Sequence, residues 1–250
     1  MKPGKLQVGT SGWSYAHWAK GRFYPKGLKQ TDWLSHFAQH FATVELNCSF
    51  YRLPKVDMVA RWRAIAGPRF HFAVKLWRRI THEKRLVNCT RELKDFFAVV
   101  NAFGPKRGPL LVQLPPSMHK DVSRLQAFLA DLRTAPGRLR WKTTIEFRHT
   151  DWLSRDVEAL LNQQGVARCL ADLSHCPITE PNEVDFVYVR RHGPGGPYRG
   201  CYSAEHIAED ARRIQTWLHA GRDVYVYYNN DVEGYAIDNA RQLIEAVTHS

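Results

Sequence analysis

Glu45, Glu146 and Asp172 each close a short, mostly apolar run of the chain, and Lys75, Arg148, Arg190 and His192 close runs of the same kind. Carboxylates beside cations suit acid and base catalysis, because neighbouring charge moves their pKa values apart. The same carboxylates with His192 are also a set that could hold a divalent metal, which asks for converging oxygen and nitrogen ligands. Lys75, Arg148 and Arg190 compete for those carboxylates and point to an anion held among them. A desolvated lysine at a strand end is, in addition, a Schiff-base nucleophile. Spacing does not choose among these chemistries, since strand ends converge in space rather than along the chain. There is no HExxH and no paired-cysteine signature; a divalent metal held by residues from separate strands stays an open option.

The elements that must position these residues follow from hydrophobic periodicity. Eight strand-like runs are expected: 6–9, 42–46, 70–75, 110–113, 143–147, 166–171, 186–190 and 223–227. Most are followed by apolar residues at helical spacing, such as Trp33/Leu34/Phe37, Val59/Trp62/Ile65 and Leu125/Phe128/Leu132. Eight strand–helix repeats predict an α/β chain folded as a single TIM-type (β/α)8 barrel over 1–250. Between strands six and seven, LSHCPITEPNEV holds two prolines and is too short for a helix, so a loop is expected there.

Strand side chains alternate faces. Taking the more apolar set of each strand as the outer face puts Glu45 and Asn47 inward on strand two, Lys75 on three and Gln113 on four. The same rule turns Glu146 and Arg148 inward on strand five, and Arg168, Leu170 and Asp172 on six. Tyr188, Arg190 and His192 follow on seven, and Tyr227 and Asn229 on eight. A barrel fills its middle layers with apolar or small side chains and carries its site at the C-terminal rim of the strands. So many polar strand ends predict a site there, with Glu45, Glu146, Asp172 and Lys75 catalytic. Asn47, Gln113, Arg148, Arg190, His192, Tyr227 and Asn229 would bind substrate, joined from the loops by Trp13 and Tyr51. A purely structural network of ion pairs is the competing reading.

Charge and loops bear on the partner. The 250 residues carry 36 Lys and Arg against 24 Asp and Glu; residues 1–125 hold 22 basic and 7 acidic, a surplus of +15. That asymmetry suits a small anionic substrate or nucleic acid, against the alternative of a generally basic surface. The 10–30 loop interleaves Trp13, Tyr15, Trp18, Phe23 and Tyr24 with Lys20, Arg22, Lys26 and Lys29. That pattern fits base stacking with phosphate contact, or a loop packing its own aromatics. The 76–89 loop adds Arg78, Arg79, His82, Lys84 and Arg85. In the 192–203 loop four glycines permit close backbone approach. Asn229, Asn230 and Asp231 precede the last helix, and one of them should cap it. Five scattered cysteines, no membrane-length apolar run and no room for a signal peptide predict a cytoplasmic protein with reduced thiols.

The motifs GTSGWSY, GRFYP, FATVELNCSFYRLP, FHFAVKLWRRITH, LLVQLPPS, IEFRHTDW, VYVRRHG and VYVYYNND together resemble the YecE-like family, domain of unknown function 72, along nearly the whole chain. The resemblance implies a TIM-type barrel, with no reaction attached. Such a barrel is similar in plan to metal-dependent sugar isomerases and apurinic-site endonucleases, although a visible abundance of His and carboxylate ligands is missing here. The leading expectation is a hydrolase acting on nucleic acid or a nucleotide. The alternatives are a sugar or sugar-acid hydrolase or isomerase using a carboxylate pair, and a nucleic-acid-binding protein without catalysis.

Overall fold

The structure, a computed structural model, describes residues 2–19, 21–177 and 179–248; Lys20 of the first loop lies outside them. The strands are β1 (Leu6–Thr10), β2 (Thr43–Leu46), β3 (His71–Lys75), β4 (Arg107–Gln113), β5 (Thr143–Glu146), β6 (Val166–Arg168), β7 (Leu170–Ala171), β8 (Phe186–Arg191) and β9 (Asp223–Tyr228). The helices are α1 (Trp33–His40), α2 (Cys48–Tyr51), α3 (Val56–Ile65), α4 (Thr90–Val100), α5 (Val122–Thr134), α6 (Arg155–Gln164), α7 (Ala204–His219) and α8 (Tyr235–Thr248). All strand pairs are parallel, in two sheets ordered β2-β3-β4-β5-β6 and β1-β9-β8-β7. This is the succession of a TIM-like barrel, with one correction. Hydrogen bonding does not run unbroken around it.

The two breaks differ. The expected sixth strand splits at Cys169: β6 pairs with β5, and β7 with β8. Asn182 causes the split. Its Oδ1 accepts from Arg168 N at 2.7 Å and its Nδ2 donates to Val166 O at 2.9 Å, so a side-chain amide occupies the place of a neighbouring strand. The described residues between β7 and β8 hold turns and bends but no helix. At the β1–β2 break the backbones nearly touch: a Cβ on Gly9 would fall 2.0 Å from Thr43 O. Glycine is what permits that approach.

Side chains show that both sheets enclose one interior. Thr43 of β2 meets the Tyr227 hydroxyl of β9 at 2.8 Å, and Arg190 of β8 reaches carboxylates on β2 and β5. Outside, helix stripes such as Leu125, Phe128 and Leu132 of α5, or Ile207, Ala211 and Ile214 of α7, are buried against the strands. α3 departs from its pattern: Val59 is buried while Trp62 and Ile65 stay half-exposed. α5 starts at Asp121, whose side chain accepts from Arg124 N, and α7 at a reciprocal Ser203–His206 capping box. No helix among the described residues is long and apolar enough to cross a membrane.

Candidate functional site

Three strand ends meet at one guanidinium. Arg190 is 1% exposed. Its Nε and Nη2 donate to Glu45 Oε2 and Oε1 at 2.9 and 2.8 Å, and its Nη1 donates to Glu146 Oε2. Glu45 and Glu146 are wholly buried. The Ser11 hydroxyl (2.8 Å) and the Tyr188 hydroxyl (2.7 Å) complete Glu45, and Arg148 Nε donates to Glu146 Oε1. Burial alone would raise both carboxyl pKa values. The Arg190 charge and the donated hydrogen bonds together outweigh it, so Glu45 lies below the ordinary value and Glu146 well below it. Both stay ionised at neutral pH, with every oxygen engaged. Neither suits a general acid; Glu45 accepts two hydrogen bonds on each oxygen and Glu146 one on each.

Around this lattice lie groups with capacity to spare. Lys75 is 8% exposed, with Nζ 3.9 Å from the centre of the Phe50 ring. Among the described residues no carboxylate pairs with it, because Arg190 and Arg148 hold the nearby ones. Burial, then the Arg190 charge, lower its pKa to about 8 against the pull of Glu146 and Glu45. His82 packs edge-on to Phe50, and burial followed by the Lys75 charge lowers it to about 4. Arg148 keeps its Nη1 free among the described residues and brings Nη2 to 3.5 Å from His192 Nε2. His192 is 3% exposed, lies 3.7 Å from Glu146 Oε1 and takes Asn229 Nδ2 at 3.3 Å on Nδ1. Burial lowers its pKa, with Glu146 opposing, so the imidazole is neutral at pH 7.

The other expected site residues fall elsewhere. Asp172 stands apart from the glutamates, accepting from His192 N at 2.7 Å and from the Tyr202 hydroxyl. The strand-six facing is the reverse of that expected. Arg168 points out to Glu158 on α6 at 2.7 Å, while Cys169 is fully buried where the charges of Glu146, Arg190 and Glu45 reach it. The inner residues Ala167, Cys169 and Ala171 are apolar but small, so taking the more apolar set as the helix-facing one fails there. Tyr227 is wholly buried, with its hydroxyl against Thr43. Gln113 is 8% exposed and bonds Leu114 O. Tyr51 is 68% exposed on α2.

Most aromatics of the first loop pack inward. Trp18, Phe23 and Tyr24 are buried, with Tyr24 stacked on Trp33 at 4.6 Å and Trp18 on Phe37 at 6.4 Å. Trp13 instead stands edge-on to Trp62 at 5.2 Å. The three residues after β9 scatter rather than cap: Asn230 donates to Gly200 O and Asn239 Oδ1, and Asp231 accepts from the Trp18 indole. Of the residues the sequence reading missed, Ser11 had a signal, since it follows Gln7 and Gly9 on one face of β1. The sequence places His82 only among the basic residues of the 76–89 loop, because its link to Phe50 and Lys75 joins three separate segments.

Two cavities flank the rim. One of about 640 Å³ opens at Arg148 and His192 and is lined also by Asp172, Tyr198, Tyr202 and Arg213. Another of about 650 Å³ lies between Trp13, Leu34, Asn47, Met58 and Trp62. Asn47 Oδ1 is buried there without a partner. Lys75 lines neither cavity.

Comparison with known proteins places the chain. Residues 7–250 match the family described as protein of unknown function DUF72. YecE of Escherichia coli K12 is 25% identical over 229 residues, spanning 85% of this chain and 79% of the relative. A DUF72 family protein of Thermotoga maritima MSB8 superposes with a TM-score of 0.86 at 25% identity, covering 98% of this chain and 99% of that one. SacUVDE shares the fold more distantly, with a TM-score of 0.56 at 9% identity over 100% of this chain and 98% of its own. A continuous match over nearly all 250 residues, with the motifs at the strand ends described above, makes this chain a member of the DUF72 family.

Proposed function

We propose that the chain is an enzyme that binds a phosphate-bearing substrate, a nucleic acid or nucleotide, at the C-terminal rim and hydrolyses it. The observation that carries this reading is the imbalance around Arg190. Every oxygen of both glutamates already has a cationic donor, whereas Lys75 and Arg148 retain cationic capacity beside them. An anion is the ligand that would satisfy both. Phosphate meets a guanidinium well through paired N–H donors; it would sit between Arg148 and Lys75, at the edge of the cavity at Arg148 and His192, which has room for the rest of the substrate.

In this reading Glu45 positions Arg190 and does no proton transfer. His192 is the base: the attacking water displaces Asn229 Nδ2 from Nδ1 and gives that nitrogen its proton, while Nε2–H faces Glu146, which stabilises the imidazolium. As the P–O bond to the leaving group breaks, the imidazolium returns the proton to the leaving oxygen. Lys75 and Arg148 hold the charge that develops on the phosphoryl oxygens. The sugar-hydrolase alternative has less support, since a carboxylate pair locked on one guanidinium offers no proton to a leaving group.

The test is an anisotropy titration of labelled single- and double-stranded oligonucleotides over a salt series, followed by a check for cleavage. Binding that weakens steeply with salt, and cleavage lost in His192→Ala while binding persists, are expected. Salt-insensitive or absent binding at low salt would remove the nucleic-acid reading. Retained cleavage in His192→Ala would remove the role given to the histidine.

A further inference from the structure

The motif IEFRHTDW supplies Glu146 and Arg148 to the rim, but the site above gives no work to its His149 or Asp151. These two converge with His119 from the β4–α5 connection. One ligand atom from each residue lies within 4.8 Å of the others. His119 Nδ1 is 3.1 Å from Asp151 Oδ2, His149 Nδ1 is 2.7 Å from Asp151 Oδ1, and the imidazole centres are 4.1 Å apart.

Both oxygens of the Asp151 carboxylate face an imidazole nitrogen, Oδ1 that of His149 and Oδ2 that of His119, at hydrogen-bond spacing. An imidazole N–H accounts for each contact without metal, and a metal ion would displace those protons. The neighbouring cations are engaged elsewhere: Arg148 is turned inward to Glu146, and Lys120 Nζ is held by Asp156 at 3.3 Å and Ser154 at 3.4 Å.

The scaffold under the three residues is firm. The Trp152 indole donates to Met118 O at 2.7 Å in a buried hydrogen bond, tying the segment that carries His119 to the turn that carries Asp151. Trp152 in turn stacks on Phe147 at 5.1 Å. His119 itself is mostly exposed and can rotate.

We propose that His119, His149 and Asp151 form a binding site for a divalent transition metal, on the same rim as the candidate active site and separate from its glutamates. Two imidazoles and one carboxylate select Zn²⁺, Ni²⁺ or Co²⁺ over Mg²⁺ or Ca²⁺, which prefer all-oxygen shells. Ligand atoms about 2.0–2.2 Å from a zinc ion lie somewhat over 3 Å from one another, so closing the site takes a modest swing of His119. Three protein ligands leave at least one position for water or another small donor. The proposal is independent of the phosphate reading, since no residue is shared.

Isothermal titration of chelator-stripped protein with Zn²⁺, Ni²⁺ and Mg²⁺, and the visible spectrum on adding Co²⁺, test it. One equivalent of Zn²⁺ or Ni²⁺ should bind, Mg²⁺ should not, and Co²⁺ should give ligand-field bands. Removing a ligand should cost more than the roughly 10–100-fold typical of a supporting residue, in His119→Ala and Asp151→Asn alike. The exposed His219→Ala should change nothing. Near-ultraviolet circular dichroism of the tryptophans checks that the variants fold. No saturable binding, or binding unchanged in His119→Ala and Asp151→Asn, would overturn the proposal.

Discussion

The Arg190 lattice and the Lys75 pocket lie side by side on one rim, and they handle buried charge in opposite ways. In the lattice each carboxylate oxygen has a donor and the guanidinium spans two strand ends. Its charges are expensive to bury but complete, and little is left to recognise a ligand. Lys75 is almost as deeply buried and has an aromatic face in place of a counter-ion. An incomplete buried charge costs stability unless something binds it. The comparison separates residues that hold the barrel together from residues that wait for a ligand, although both look alike as charged strand ends.

The largest effect is expected from breaking the lattice. Arg190→Met leaves Glu45 and Glu146 buried with much of their compensation gone. Removing one partner of a buried pair costs about 3–5 kcal/mol, and two carboxylates depend on this one. Urea denaturation should show a loss at the top of that range or outright failure to fold. Arg190→Lys should rescue little, because an ammonium cannot reproduce the fork that reaches both strands. A loss below about 1 kcal/mol would mean that the lattice is not what holds these strand ends.

Lys75→Met should do the reverse. The folded protein lowers the lysine from its ordinary value to about 8, so below pH 8 the folded state bears a cost that the unfolded chain does not. Removing the amine removes that cost, and methionine fills the space against Phe50. Stability at pH 7 should rise by roughly 1–3 kcal/mol, while affinity for a phosphodiester falls about tenfold or more. Opposite signs in the two measurements mark a ligand-binding lysine. A fall in stability would return Lys75 to the scaffold.

The strands, their order and most of the rim were legible because alternation carries that information directly. Val187 and Val189 against Tyr188 and Arg190 leave one way to face β8. Strand six misled because polarity alone was read there. Ala167, Cys169 and Ala171 are the more apolar set but fill the interior as small residues, while Arg168 runs outward to Glu158 and Asp172 goes with it to the α7 side. Nor does the sequence show which carboxylates are already paired. Glu45 and Glu146 lie 101 positions apart and meet only through Arg190, so their chemistry became readable with the hydrogen bonds. The Asn182 amide that stands in for a strand is likewise a long-range contact with no local pattern.

The smallest predicted effect is a pH dependence, and it sharpens the comparison most. A bound phosphodiester keeps its single charge across the working range, so any change in affinity reports the protein. Bound anion raises the Lys75 pKa above its free value of about 8, and binding therefore takes up a proton as pH passes that value. Affinity should be level from pH 6 to about 7.5, then fall above 8 by up to about tenfold per pH unit, until the pKa of the complex is reached. The neighbouring groups do not mimic this. His82 has its pKa near 4, His192 is lowered by burial, Glu45 is lowered and Glu146 held well below its ordinary value, and the Arg190 pKa is raised by the two glutamates. Calorimetry with a dinucleotide from pH 6 to 9.5 should give a bend that disappears in Lys75→Met. A bend that survives the substitution belongs to another group, and the lysine would then be no more part of the site than the arginine beneath it.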